Sequence, residues 1–130
     1  MTKPDAIIGL EIHVELDTDS KLFCGCPTDA EAPNTATCEV CLGMPGSKPV
    51  VNKKAIAYAI KLCTALNCEI NPQLIFSRKS YFYPDMSKNY QITQYEIPLG
   101  KGGELNISKK RIGLIRVHLE EDPASLVHVG

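Results

Sequence analysis

Ionisable side chains near the N-terminus are the first groups in this chain that could bind a cation or transfer a proton. Glu11, His13 and Glu15 alternate with apolar residues from Ile8 to Leu16. This period of two predicts a half-buried β-strand, whose alternate side chains share a face roughly 6.5–7 Å apart. Carboxylates and an imidazole at that spacing suit a divalent cation or acid–base chemistry. The alternative is an ordinary solvated strand face.

A second acidic cluster lies near the other end of the chain. The residues from Ile112 onward predict a strand that ends in Glu120, Glu121 and Asp122, just before a proline. Adjacent like charges repel one another unless a cation lies nearby. If this strand lies beside the first one, Glu120 or Glu121 can join Glu11 and His13 around one metal ion.

Two cysteine pairs predict a structural zinc site. They are separated by eleven residues, within a loop spanning residues 17–49, and comprise Cys24, Cys26, Cys38 and Cys41. In the second pair, Gly43 can adopt a backbone angle that turns main-chain N–H groups toward a thiolate. Four thiolates about 2.3 Å from a tetrahedral zinc ion leave no open position for a substrate.

Other fates of these thiols are a disulfide, free thiols or a redox Cys-x-x-Cys. The first is disfavoured because the chain shows no export signal. A redox motif does not usually come with a second cysteine pair. The spacing of Cys24 and Cys26 is less common in zinc sites. Cys63 and Cys68 are expected to be small core residues.

Aromatic and basic residues are interleaved between Phe76 and Tyr95. Aromatic rings can stack on a base, and cations can bind phosphate. In the alternative interpretation, alternate aromatic residues face the core. Two short strands with a turn at Pro84-Asp85 are expected here.

A helix and a hairpin are expected to support these groups. Asn52 predicts the start of a helix that extends to Asn67. Its buried stripe at helical spacing is expected to be Ile56, Ala59, Ile60, Cys63 and Leu66. The segment Gly100–Gly103 predicts a hairpin turn before a strand near Leu105–Ile107, and the basic run 109–111 is expected to bracket a solvated turn.

Length and charge limit the possible functions. A chain of 130 residues suffices for one domain with its own core, and residues 1–130 are expected to form one. A net charge of −1 argues against a general polycation that binds nucleic acid. No apolar run approaches membrane-spanning length, so a cytoplasmic protein is expected. The apolar end at Leu126–Gly130 suggests an N-terminal fragment of a longer catalytic domain.

Four motifs occur in an order and spacing that resemble the B subunits of tRNA-dependent (aspartyl/glutamyl-tRNA) amidotransferases. They are Glu11–Leu16, Arg78–Asp85, Tyr90–Tyr95 and His118–Asp122, so that the resemblance covers about Ile7 to Asp122. Ser80 departs from the asparagine that is usual in the family. The related archaeal E subunits share several motifs, but Tyr81–Pro84 together with His13 favour the B subunits.

The resemblance implies a fold and a reaction. The fold would be α+β, with a mixed or antiparallel sheet, packed helices and a cradle like that of glutamine synthetase. The family uses ATP to phosphorylate the side-chain carboxylate of mischarged Glu-tRNA(Gln) or Asp-tRNA(Asn). Ammonia from a glutaminase (A) subunit then gives the amide, and a small C subunit completes the heterotrimer.

The resemblance also implies roles for individual residues. Glu11, His13 and Glu121 would be catalytic; His13 and Glu121 would bind Mg²⁺, with Glu11 and Glu120 in or next to that shell. Mn²⁺ is expected to substitute well because imidazole is an unusual ligand for Mg²⁺. The nucleotide or the aminoacyl end would be lined by Arg78, Lys79, Tyr81 and Tyr83.

Two other classes of function remain open. One is a zinc-containing module that binds RNA or protein without catalysis. The other is a free-standing ATP-dependent ligase, which the absence of a Walker-type glycine loop disfavours.

Overall fold

The computed structural model describes residues 4–84 and 86–122 of the chain. Within these ranges the elements are α1 (Lys53–Ala65), β1 (Glu69–Ile70), β2 (Ser77–Ser80), β3 (Tyr90–Thr93), β4 (Gly100–Lys101), β5 (Glu104–Ile107), β6 (Lys110–Gly113) and β7 (Arg116–Val117). The expectation for residues 126–130, and the Asp85 half of the expected turn, lie outside the described residues.

The strands form three small antiparallel sheets. One has the order β1-β4-β7, and the other two are the pairs β2-β3 and β5-β6. The β2-β3 register places Ser77 opposite Thr93 and Ser80 opposite Tyr90, which confirms the two strands expected in this segment. A helix combined with antiparallel pairing also confirms the α+β class in its general form.

Asn52 determines where α1 begins, as the sequence predicts. Its side-chain oxygen accepts hydrogen bonds from the N–H groups of Lys54 at 2.9 Å and Ala55 at 3.3 Å. The helix ends because Asn67 adopts a left-handed φ of 54°, which lets the N–H of Cys68 bond the carbonyl of Cys63 at 2.9 Å. The helix is thus a local consequence of its sequence.

The buried face of α1 is rotated relative to the expected stripe. Ala55, Ala59 and Cys63 are buried at a spacing of four residues, whereas Ile60 is 38% exposed. The prediction was right for Ala59 and Cys63 and wrong for Ile60. Small side chains on this face let the helix approach its neighbours closely, so the bulkier residue lies at the border.

The core lies between this helix face and two later segments. Its buried members are Ala59, Cys63, Leu99 and Leu119, with Leu16, Ile56, Cys68, Phe76 and Val117 packed around them. A Cβ at Gly100 would lie 2.8 Å from the sulfur of Cys63, so glycine allows β4 to pass against the helix. Burial raises the pKa of the Cys63 thiol to about 11, as suits a core residue.

The first expected strand is absent from the structure. Residues 7–16 pair with no strand in the described ranges. The apolar set of alternating side chains is exposed, with Ile12 at 76%, and so is the polar set, with the Glu11 side chain at 75%. The prediction was wrong because alternation gives a segment two faces but does not supply a hydrogen-bonded neighbour. Leu16 alone of the alternating apolar residues packs against the core.

The strand expected before the second acidic cluster also needs correction. The continuous strand from Ile112 is interrupted: β6 ends at Gly113, β7 covers only Arg116–Val117, and residues 118–122 are irregular. The break occurs where the N–H of Leu114 donates to the carbonyl of Gly103 at 3.0 Å.

In the described ranges, no helix has both the length and the apolar character needed to cross a bilayer.

The expected hairpin turn at Gly100–Gly103 is wrong for its first half, because Gly100 and Lys101 form β4. Gly102 and Gly103 do have positive φ angles, of 60° and 102°. The hairpin itself joins β5 to β6, where Ile107 pairs with Lys110 and Ser108 has a φ of 54°. Lys109 lies in this solvated turn, whereas the rest of the basic run belongs to β6.

Candidate active site and cysteine cluster

Strand β3 and the segment after it hold the second acidic cluster in place. The side-chain oxygen of Gln94, which is 2% exposed, accepts hydrogen bonds from the N–H groups of Leu99 at 3.1 Å and Leu119 at 3.0 Å. The amide nitrogen of Gln91 donates to the carbonyl of Glu121 at 2.7 Å. Because buried polar groups need partners, these bonds fix the path of residues 119–121.

The carboxylate of Glu120 meets the N-terminal row. One of its oxygens lies 3.7 Å from Nε2 of His13, and the other lies 3.5 Å from Nε2 of His118. Nε2 of His13 is also 3.5 Å from a carboxylate oxygen of Glu11. We call Glu11, His13 and Glu120 the acid–histidine row. His13 and Glu11 are about three-quarters exposed, so the row opens to solvent.

Glu121 points to the other side of the same segment. One carboxylate oxygen accepts a hydrogen bond from the ammonium of Lys88, and the other accepts the N–H of Ile92 at 3.0 Å. Its side chain is 10% exposed and that of Lys88 is 2% exposed. Both oxygens are therefore engaged inside the protein.

The structure thus brings Glu11, His13 and Glu120 together and keeps Glu121 apart from them. Atoms that bind one octahedral Mg²⁺ ion lie about 3 Å apart when adjacent and about 4 Å apart when opposite. The two contacts of His13, at 3.5 and 3.7 Å, lie between these two distances. The row offers two carboxylates and an imidazole, but one ligand atom from each does not lie within 4.8 Å of the other two, so the carboxylates of Glu11 and Glu120 would have to move closer together to share one cation.

The four cysteines of the long loop gather at one point. Their sulfur atoms all lie within 4.8 Å of one another, and in the described ranges no other group of histidine, cysteine or acidic side chains meets this criterion. The sulfurs of Cys38 and Cys41 are 3.9 Å apart. Ligands of a tetrahedral zinc ion with bonds of about 2.3 Å are about 3.8 Å apart, so this donor set fits zinc.

A turn around the second pair presents backbone donors to sulfur. The N–H of Cys38 donates to the sulfur of Cys41 at 3.1 Å, and the N–H of Gly43 donates to the carbonyl of Val40 at 3.0 Å. Gly43 has a φ of 68°, as the glycine in the motif predicts. All six cysteines are free, so the structure contains no disulfide between them.

Hydrogen bonding and burial separate the acidities of Cys24, Cys26 and Cys38. Backbone hydrogen bonding from Cys41 lowers the pKa of Cys38 to about 7 from the ordinary 9.0. Loss of solvent raises the pKa of Cys26 to about 12 and also raises that of Cys24. Of these three thiols, Cys38 therefore ionises first.

In the metal-free chain we expect iodoacetamide to alkylate Cys38 first. At pH 7 about half of this thiol is thiolate, against about 1% of a thiol with the ordinary pKa of 9.0. Mass spectrometry of peptides after a short pulse measures the order. Zinc should protect all four loop cysteines, whereas Cys38 reacting no faster than Cys26 in the metal-free chain would contradict the assigned acidities.

The aromatic and basic segment presents its side chains on the surface. Arg78, Lys79 and Tyr83 are exposed and Tyr81 is half-buried. The exposure of Phe82 is 89%, so the interpretation of these aromatics as core residues fails there. The guanidinium of Arg78 lies 4.7 Å from the centre of the Tyr90 ring.

Gln91 and Gln94 were missed as candidates in the sequence, and Lys88, one of the cations expected to meet phosphate, is instead paired with Glu121 inside the protein. Each looks like a solvated polar residue, yet each is buried and bonds the segment around Glu121. A signal was available for the two glutamines, since β3 and its flanks lack the alternation of a half-solvated strand. For Lys88, in a turn-rich stretch, the sequence offers no such signal.

Comparison with known proteins gives a consistent match along the whole chain. A family model described as the GatB/GatE catalytic domain matches residues 6–130. A Methanoregula boonei protein, named as the B subunit of aspartyl/glutamyl-tRNA(Asn/Gln) amidotransferase, is 55% identical over 100% of this chain and 28% of its own length. Proteins of the same name from Geotalea daltonii and Brevibacillus brevis are 57% and 54% identical over 95% and 98% of this chain, respectively. The chain spans about a quarter of the length of these relatives.

Proposed function

This chain belongs to the GatB/GatE catalytic domain family, and we propose that it contributes part of the active site of a tRNA-dependent amidotransferase. Its membership confirms the family resemblance of the four motifs. The relatives are named as subunits of an aspartyl/glutamyl-tRNA(Asn/Gln) amidotransferase. The reaction that we propose for the full-length protein is the ATP-dependent amidation of Glu-tRNA(Gln) or Asp-tRNA(Asn). The product would be the correctly charged tRNA, and the enzyme would be a carbon–nitrogen ligase.

The observation that carries this proposal is the meeting of Glu11, His13 and Glu120. These residues come from two distant motifs of the chain and converge although no strand joins them. An RNA- or protein-binding module without catalysis gives no reason for two carboxylates to converge on an exposed imidazole. A site for phosphoryl transfer does, because it needs ligands for the cation that accompanies ATP.

The chemistry has two steps. The side-chain carboxylate of the aminoacyl-tRNA attacks the γ-phosphate of ATP, which gives an acyl phosphate and ADP. Ammonia then attacks the carbonyl carbon, and inorganic phosphate leaves. A bound Mg²⁺ would neutralise charge on the phosphates in the first step.

Within this scheme the chain's own residues hold and orient the reactants. The cation would be bound by Glu11, His13 and Glu120. Hydrogen bonds from Gln91 to Glu121 and from Leu119 to Gln94 keep the backbone on either side of Glu120 in place. That Glu121 is a direct ligand stays a prediction. In the proposed arrangement, Glu121 is bonded to Lys88 and Ile92 and holds the backbone next to Glu120 in place. Arg78, Lys79, Tyr81 and Tyr83 would contact the nucleotide or the aminoacyl end.

The cysteine cluster would bind a structural zinc ion. Its four sulfurs fill a tetrahedral shell, which leaves no position for a substrate. The full-length protein would fold as a cradle similar to glutamine synthetase, bind a glutaminase subunit, a small third subunit and the mischarged tRNA, and act in the cytoplasm.

Lys79 provides a test of the phosphate contact. Lys79→Ala in the assembled enzyme should raise the ATP concentration for half-maximal rate about tenfold, because a charge-assisted bond to phosphate is worth about 1.5–3 kcal/mol. The melting temperature should stay nearly unchanged, since the side chain is exposed. ATP titrations and melting curves on one preparation measure both.

Lys101→Ala is the matched control for Lys79→Ala. Lys101 is also an exposed lysine on a short strand, but it lies in another sheet. A similar rise in the ATP requirement for both variants, or a large loss of stability for Lys79→Ala, would count against a phosphate role.

The proposed activity is tested by amide formation. The full-length protein, assembled with its glutaminase partner, should convert mischarged Glu-tRNA(Gln) or Asp-tRNA(Asn) to the amide when supplied with ATP and ammonium chloride. A binding module would bind tRNA and form no amide. Failure with both tRNAs, in a preparation that binds them, would exclude the proposal.

A further inference from the structure

We propose that Lys88 is a positioning residue that connects the cysteine loop to the acid–histidine row. It would hold Glu121 in place and thereby aim Glu120 at His13, so that the conformation of the loop governs how well the row binds a cation. This inference rests on the proposed function for the meaning of the row, and it adds a residue outside the four motifs' expected site.

The Lys88–Glu121 pair is the most buried ion pair in the described part of the chain. The lysine side chain is 2% exposed, and its ammonium donates to Glu121 and lies 5.0 Å from the centre of the Tyr90 ring. A buried charge needs a partner that also has its remaining lone pairs bonded. The second oxygen of Glu121 meets this requirement through the N–H of Ile92.

Fixing Glu121 also fixes its neighbour. The N–H of Glu121 donates to the carbonyl of Ile92 at 2.9 Å, and its own carbonyl accepts from Gln91 at 2.7 Å. With backbone and side chain both bonded, the segment has little freedom to rotate. The carboxylate of the neighbouring Glu120 then lies between His13 and His118.

The cysteine loop packs directly against Lys88. A Cβ added to Gly43 would clash with the Cβ of Lys88, so the loop backbone touches the base of the lysine side chain. The hydroxyl of Ser87 donates to the carbonyl of Cys41 at 3.3 Å. The turn that presents two of the four thiolates is thus the same turn against which Lys88 is seated.

These contacts form a continuous path of packed groups from Cys41 and Gly43 through Lys88 and Glu121 to Glu120. A metal ion on the four thiolates would hold the turn in the shape that seats Lys88. A variant that moves one link tests whether coupling passes along this path.

Two glycines of the loop supply that variant and its control. Gly43 and Gly46 both have positive φ angles, of 68° and 83°, so alanine strains the backbone at either position. Only the Gly43 position faces Lys88, whereas a Cβ at Gly46 meets nothing within 4 Å. The difference between Gly43→Ala and Gly46→Ala therefore reports the contact with Lys88 rather than the strain.

The first readout uses NMR of the full chain with zinc added and ¹³C-labelled histidine rings, without any cation at the row. Gly43→Ala should shift the ring signals of His13 and His118, and Gly46→Ala should leave them in place. Removal of zinc with a chelator should shift them in the same direction as Gly43→Ala. Identical spectra for the two glycine variants would overturn the inference.

The second readout is the affinity of the row for Mn²⁺, measured by the broadening of the His13 ring signals. Gly43→Ala should weaken it about tenfold, as changes in groups that support metal ligands do. The double variant Lys88→Met/Glu121→Gln, which keeps the shapes and removes both charges, should weaken it similarly. Unchanged affinity in folded forms of both variants would refute a positioning role.

The two readouts separate failure of this inference from failure of the proposed function. If the wild-type chain and the wild-type assembled enzyme bind no Mn²⁺ at His13, the cation site is wrong. The ring signals would still decide whether Lys88 positions Glu120. If Mn²⁺ binds and the two glycine variants give the same ring signals and the same Mn²⁺ affinity, the cation site is supported and the role of Lys88 is refuted.

Discussion

Lys88→Met is expected to lower the free energy of unfolding of this chain by about 3–5 kcal/mol, a large share of the stability of a small domain. The variant retains most of the side-chain volume but leaves the buried carboxylate of Glu121 without its cation. Of the bonds to that carboxylate, the one from the N–H of Ile92 remains. The cost is therefore that of an uncompensated buried charge rather than that of a cavity.

The double variant Lys88→Met/Glu121→Gln separates these two effects. It removes the unpaired charge as well as the lysine, and replacing both members of a buried pair is often close to neutral. Most of the lost stability should therefore return. The exposed lysine of the Lys54–Asp19 pair is the control, because Lys54→Met removes one positive charge from an exposed ion pair and should leave the melting temperature nearly unchanged.

Urea denaturation of the three variants measures this prediction. The midpoint for Lys88→Met should fall well below that of the wild type, and that of the double variant should lie between them. A midpoint for Lys88→Met equal to that of Lys54→Met would show that the Lys88–Glu121 pair contributes nothing to stability in solution.

The helix and the cysteine cluster could be predicted from the sequence because their causes are local. Asn52 supplies the cap with its own side chain, and Gly43 supplies the backbone angle that the turn requires. The strands around Tyr90 were equally accessible, since the turn residues between them separate two short runs. In each case the residues that decide the structure are close together in the chain.

The N-terminal row shows the opposite case. The alternation from Ile8 to Leu16 is real, but a strand needs a neighbour with unpaired N–H and carbonyl groups, and no strand of the described residues provides one. The segment therefore runs exposed and without pairing. The side chain of His13 still contacts Glu120, so the two motifs meet as expected although the expected strand is absent.

The choice between Glu120 and Glu121 could not be made from the sequence. Glu120 and Glu121 are neighbours of the same residue type, so the sequence does not show which of them meets the row. Which one does so depends on where Lys88 lies, and its burial results from contacts with Gly43 and Glu121, which are distant in the chain. Long-range contacts of this kind leave no periodic pattern to read.

His13→Ala and Glu120→Ala are expected to abolish amidation in the assembled full-length enzyme. Both side chains would bind the cation that neutralises charge on the transferred phosphoryl group. A metal-held transition state gains several kcal/mol, and each 1.36 kcal/mol changes the rate tenfold. We therefore expect the rate to fall about 100-fold or more, with little change in melting temperature because His13 is largely exposed.

Glu15→Ala is the matched control. Glu15 continues the alternation of Glu11 and His13 and is exposed, but it is not part of the acid–histidine row. Glu15→Ala removes one carboxylate, as Glu120→Ala does, and it does so from the segment that holds His13. Its variant should amidate tRNA at nearly the wild-type rate, which separates the loss of a cation ligand from a general change in charge.

The most direct test uses mischarged tRNA whose side-chain carboxylate carries ¹⁸O, with ATP and with free ammonia in place of glutamine. The wild type and Glu15→Ala should transfer one ¹⁸O into inorganic phosphate for each amide formed, because the carboxylate attacks the γ-phosphate. His13→Ala and Glu120→Ala should release almost no labelled phosphate, although the glutaminase partner still hydrolyses glutamine when it is supplied. Transfer of ¹⁸O by both variants at the wild-type rate would show that the acid–histidine row is not the catalytic site.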